Sequence, residues 1–125
     1  LSVTVPHILA LDEQVQLAEQ LLQAGAVLIQ TEGGTSIQPG NPGVRGLIEK
    51  AAPTLAAAYS ISQAVNIPVL CASGLSSVTV PMAIAAGASG VGVGSAINQL
   101  NSEVAMVAAV RSLVEALDRS QVPVI

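Results

Sequence analysis

Val69-Leu70-Cys71-Ala72-Ser73-Gly74 and Gly90-Val91-Gly92-Val93-Gly94-Ser95 are two apolar runs that end in small residues, separated by one short helical stretch. Each is followed by a predicted helix whose first amide groups point back at the run, and unsatisfied N–H groups at helix N-termini favour anions. In (β/α)8 barrels the phosphate site is commonly built by the loops after strands 7 and 8, so the pair reads as the last two units of such a barrel. Ser73, Gly74, Gly94 and Ser95 are then the expected phosphate-binding residues. Glycine lets an oxyanion approach the backbone, and a hydroxyl adds a donor. The competing reading is that these residues serve only tight turns between strand and helix.

Upstream, the same alternation repeats. Ser2 to Ile8 reads as a strand, and Asp12 to Ala24 as a helix with acidic residues in its first turn and Gly25 at its end. Val27 to Glu32 is β-branched and apolar, as in a buried strand. Gly33 to Gly46 holds two Pro and five Gly and is expected to be the longest loop, a lid or substrate loop after a strand's C-terminal end. Ala51 to Val65 follows as a helix with Pro53 near its start, then a strand at Ile67 to Ala72. Ser76 or Ser77 is expected to cap a helix reaching Ala86. Gly90 to Gly94 is the fourth strand, and Asn101 or Ser102 caps a last helix to Leu117 that buries Val104, Val107, Val110, Leu113 and Leu117.

Ala24-Gly25-Ala26-Val27-Leu28-Ile29 is echoed by Ala86-Gly87-Ala88-Ser89-Gly90-Val91. Helix, glycine stop, turn and strand recur two units apart. The expected class is α/β, four consecutive parallel β/α units forming the C-terminal half (strands 5 to 8) of a (β/α)8 TIM barrel. A complete barrel needs about 250 residues, and this chain has 125. Residues 1–125 are therefore expected to be one half-barrel unit and a fragment of a longer chain. An open doubly wound sheet is the rival, but no Gly-x-Gly-x-x-Gly follows the first strand.

Composition narrows the function. Hydrophobic residues make up 51% of the chain with no Phe, no Trp and one Tyr, so the core is Val, Leu, Ile and Ala. Mean hydropathy is +0.67, yet charged residues interrupt every apolar run before the roughly 18 residues of a membrane span. A net charge of −4 with four basic residues leaves little to neutralise a nucleic-acid backbone. Neither membrane nor nucleic acid is an expected partner. The single Cys71 excludes an intrachain disulfide.

Chemistry is sought at the C-terminal ends of the strands. His7, the one histidine, and Glu32, which precedes Gly33-Gly34, are the catalytic candidates: imidazole titrates near neutrality, and a rim carboxylate can act as general base or bind a ligand hydroxyl. Against this, His7 could simply bond a neighbouring loop, and Glu32 could be solvated or paired with Arg45. No carboxylate partner for His7 is identifiable from spacing. Either Gln30 or Thr31 is expected to face the barrel interior. Cys71 reads as a buried, inert thiol, and Arg45 and Lys50 either close over an anion or lie in solvent. No strand carries a lysine for Schiff-base chemistry, no metal-ligand cluster is evident, and nothing specifies a cofactor.

His7-Ile8-Leu9-Ala10-Leu11, Gln30-Thr31-Glu32-Gly33-Gly34-Thr35, Val69 to Val78 and Gly92 to Asn98 together resemble the hypothetical chloroplast open reading frame 23 family, also called domain of unknown function 561. The resemblance spans the chain and implies the C-terminal half of an aldolase-type barrel, from proteins about twice as long. It implies a setting in cyanobacterial cytoplasm or plastid stroma, and no established reaction. The expected function is binding of a small phosphorylated metabolite at the ends of strands 7 and 8, as in lyases, isomerases and synthases of this architecture. A non-catalytic ligand-binding or regulatory barrel protein is the alternative. Exposed half-barrel edges predict self-association or pairing with a missing N-terminal half.

Overall fold

The computed structural model of the chain describes residues 1–33 and 38–120. Positions 34–37 of the expected lid loop and the apolar tail Val122 to Ile125 lie outside the described residues.

Four strands, β1 (Ser2–Val5), β2 (Leu28–Thr31), β3 (Val69–Ala72) and β4 (Gly90–Gly92), form one parallel sheet in the order β1-β2-β3-β4. Val5 pairs with Thr31, Ile29 with Val69, and Ala72 with Gly92. Spatial order equals chain order. Right-handed crossovers then carry every connecting helix to the same face, whereas a doubly wound sheet reverses order and covers both. Burial agrees: Val5, Ile29, Val69 and Cys71 are sealed beneath helices, while Ser2 and Thr4 are exposed and Gln30 and Leu70 half-buried on the alternating face. This is an arc of a barrel wall, with its helices outside.

The first helix, α1 (Leu11–Gln23), begins where the Glu13 carboxylate accepts the Ala10 N–H at 3.2 Å. It packs on α2 (Gly43–Ala64), which turns a stripe of Ala51, Thr54, Ala58 and Ile61 to the sheet. α2 begins eight residues before the expected start at Ala51. Gly46 accounts for the difference: it is a helical residue over which the Asn41 carbonyl packs too closely for any Cβ. Glu49 holds the preceding segment, accepting the Gly40 N–H at 3.0 Å and the Asn41 side-chain amide. The connection between β2 and α2 is correspondingly shorter than the sequence suggested, and Pro53 falls in mid-helix.

Downstream, α3 spans Val80–Ala85 with Pro81 in its first turn. Ser76 does not cap it directly. The Ser76 N–H donates to Thr79 Oγ1 at 2.8 Å, and this turn sets the helix start. A short helix, α4 (Ser95–Asn98), follows β4. Ser102 is the cap of α5 (Glu103–Ser120), accepting the Ala105 N–H at 3.1 Å. α5 rests on α3 through Leu113, Ala116 and Leu117. Val104, Val107 and Val110, expected on that buried side, are instead 82%, 50% and 44% exposed. No helix among the described residues is long and apolar enough to cross a membrane.

Candidate functional site

Parallel strands end on the same rim, which gathers residues far apart in sequence. His7 lies in the turn after β1, and Glu32 directly follows β2. Because Val5 pairs with Thr31, the residues just beyond face each other, and His7 Nδ1 meets Glu32 Oε1 at 2.7 Å. A carboxylate can only accept, so Nδ1 carries the proton in this contact. That leaves Nε2 of the neutral ring with a free lone pair. Both side chains are about one-third exposed, and so reachable by a small molecule. Glu32 is thus the histidine partner that spacing could not identify. Arg45, the alternative partner weighed for Glu32, instead lies 3.7 Å from Glu49 on its own helix.

The turn bearing His7 is held from below. Gln14, buried in the first turn of α1, donates Nε2–H to the Leu9 carbonyl at 2.9 Å. Gln30 is half-buried on the strand face away from the helices. Thr31 turns the other way, fully buried under α2, where its hydroxyl meets that of Thr54 and accepts the Ala72 N–H at 3.0 Å. Thr54 in turn donates to the Ala72 carbonyl at 2.6 Å. Cys71 lies in this sealed layer. Burial pushes its thiol up from the ordinary value, partly offset by contacts with Thr54 and Thr31, which makes it unsuited to nucleophilic work.

At the ends of β3 and β4, Ser73, Gly74, Gly94 and Ser95 line a single cavity of about 200 Å³ together with Leu75, Gly92 and Lys50. Ser73 has φ +86 and Gly74 φ +73, a left-handed pair that bends the chain sharply out of β3. Gly74 allows an approach no other residue could make, since a Cβ there would stand 2.8 Å from the Lys50 carbonyl. His7 and Glu32 do not line this cavity, but they are linked to it. Gly33, next to Glu32, packs so closely on Ser73 that an added Cβ would lie 3.1 Å from its Oγ. Lys50, for which the sequence offered either closure over an anion or a place in solvent, lines this cavity while remaining exposed. The signal missed was its helix, which began earlier than the Gly and Pro content indicated.

A family model described as a protein of unknown function, DUF561, matches residues 1–123. The uncharacterized protein ycf23 of Pyropia yezoensis is 37% identical over 118 residues, covering 94% of this chain and 43% of that protein. The chain therefore spans less than half the length of this relative. Among solved structures, 7,8-dihydropteroate synthase from Vibrio fischeri ES114 superposes with a TM-score of 0.62 at 22% identity, covering 98% of this chain and 41% of its own. (S)-3-O-geranylgeranylglyceryl phosphate synthase from Thermoplasma acidophilum, solved in complex with substrate sn-glycerol-1-phosphate, gives 0.57 at 19% identity, covering 87% and 37%. At these identities they establish the fold: aldolase-type TIM barrels, matched over part of their length.

Proposed function

Since the chain belongs to the DUF561 family, whose matched relative ycf23 is itself uncharacterized, we propose from the rim geometry that it binds a small phosphorylated metabolite and moves a proton on it. The observation that carries this reading is continuity. Glu32 leads into Gly33, Gly33 packs on Ser73, and Ser73 lines the cavity, so the His7–Glu32 pair and the cavity share one rim.

The phosphate sits among Ser73, Gly74, Gly94 and Ser95, with hydroxyl and backbone donors at its oxygens. A cavity of about 200 Å³ is below the roughly 300–1,000 Å³ that encloses drug-sized ligands, so it takes the phosphate end and leaves the rest of the molecule on the rim. Glu32 orients the imidazole, and Nε2 accepts or returns a proton on the reacting portion. Such chemistry belongs to lyases, isomerases and synthases, and the neighbour solved with sn-glycerol-1-phosphate binds a ligand of this class.

The four units correspond to strands 5 to 8 of a whole barrel, with the remaining units supplied by a missing N-terminal half or a second copy. The setting is cyanobacterial cytoplasm or plastid stroma. Native mass spectrometry of the gently purified chain tests the ligand class: an added mass fitting a phosphorylated metabolite is expected, and a bare chain would count against it. With that compound in hand, Glu32→Gln should lower turnover about 10²- to 10⁴-fold while leaving affinity within a few fold. Turnover absent in both forms would instead identify a ligand-binding protein without chemistry.

A further inference from the structure

The rim cavity is flanked by one cation, and its origin is unlike that of the other polar lining. Ser73 and Gly74 come from the loop after β3, and Gly92, Gly94 and Ser95 from the end of β4 and beyond. Lys50 comes from α2, two turns into the helix. Its position is fixed by the backbone, because Gly74 lies against the Lys50 carbonyl with no room for a Cβ. The loop that would cradle an anion and the helical turn that carries the ammonium are therefore locked together.

Charge bookkeeping singles Lys50 out. The chain has four basic residues and a net charge of −4, so an approaching anion meets net repulsion. Arg45 is engaged with Glu49, and Arg111 and Arg119 lie on α5, away from the cavity lining. The acid next to Lys50 in sequence, Glu49, is itself occupied. One of its oxygens accepts the Gly40 N–H, and the other meets the Asn41 amide and Arg45. Lys50 has no carboxylate partner among the described residues, and it is the one charged residue lining a cavity whose remaining polar lining is neutral.

Resting on the phosphate reading above, we infer that Lys50 sets the specificity of the site, selecting a dianionic phosphate monoester over a monoanion of the same shape. Hydroxyls and backbone amides accommodate a tetrahedral oxyanion of either charge, whereas the ammonium rewards the second negative charge. The class of ligand is then a monophosphate ester, in preference to a sulfate ester or a carboxylate.

Methyl phosphate and methyl sulfate have the same shape and differ by one charge above neutral pH. Titration of the full chain at pH 8, followed by amide chemical shifts of Ser73, Gly74 and Gly94, should show methyl phosphate bound about tenfold more tightly, a discrimination scaled to a partly exposed charge-assisted bond. Lys50→Met should largely abolish the preference by weakening methyl phosphate more than methyl sulfate, and Lys50→Arg should largely keep it. Equal discrimination in Lys50→Met would overturn the role of Lys50 and leave the cavity reading standing. If neither ester shifts those amides in the unaltered chain, the phosphate reading itself falls, and the selectivity with it. Lys50 is exposed, so folding of the variants is checked directly from their unshifted core amides.

Discussion

Ser73 holds a backbone angle that L-residues other than Asn, Asp and His seldom adopt, φ +86, while lining the cavity with its hydroxyl free of hydrogen-bond partners among the described residues. Strain of this kind costs on the order of 1–3 kcal/mol and persists where the surroundings over-determine it. Gly33 on one side and the Gly74–Lys50 contact on the other supply that determination. Ser73→Gly should relieve the strain against the extra freedom glycine gives the unfolded chain, a net gain of roughly 0.5–1 kcal/mol in urea unfolding. The same change should weaken phosphate binding by deleting a hydroxyl donor. A less stable glycine variant would show that this backbone carries no strain. The residue scale also shows where sequence reading stopped at the site. His7 and Glu32 were each legible as strand-end groups, but their contact spans 25 positions and is created by the β1–β2 register, which no local spacing encodes.

Elements were legible in proportion to how far local pattern decides them. The strands alternate apolar and polar or run apolar, and each appears near its expected place, shortened at the ends. α2 was not legible at its start, because Gly43 and Gly46 have poor helix propensity and only the packing of Asn41 over Gly46 explains a glycine there. α5 gave the opposite failure. The residues expected on one buried face divide, Leu113 and Leu117 packing on the core while Val104, Val107 and Val110 face outward, because a period cannot say what covers each apolar position. Between elements, Thr31 of β2, Thr54 of α2 and Cys71 of β3 form one sealed polar seam that fastens helix to sheet. Burial raises the Cys71 thiol pKa above its ordinary value in the folded chain, so the unfolded chain ionises first. Its contribution to stability is complete below about pH 9 and declines as pH climbs toward the raised folded value. Urea unfolding between pH 7 and 10.5 should therefore show a fall in the parent that approaches about 1.4 kcal/mol per pH unit at most and is absent in Cys71→Ala. Identical slopes in the two proteins would show that Cys71 does not contribute.

At the scale of the whole molecule, the arc has two edges unpaired among the described residues, β1 and β4, and an outward apolar strip on α5 formed by Val104, Val107, Val110 and Val114. Unpaired strand edges invite pairing, and neighbouring exposed apolar side chains favour burial against a partner. The 125-residue chain is expected to sediment as a dimer or larger species. Replacing Val107 and Val110 together by Asp should return it to monomer with helix content intact. A parent chain that stays monomeric at concentrations of about 100 μM would sink this expectation.

The strand order has a further consequence, which concerns time rather than space. Each strand after β1 pairs with the one made immediately before it, so no segment waits beyond the next strand for its partner. Loop-closure costs stay small, because each new β/α unit docks on a finished neighbour. Growth from a ribosome can thus lay the wall down one stave after another, each serving as template for the next. A nascent chain halted after Ala72 should already protect the β1 and β2 amides from exchange, well before the cavity that β4 completes exists.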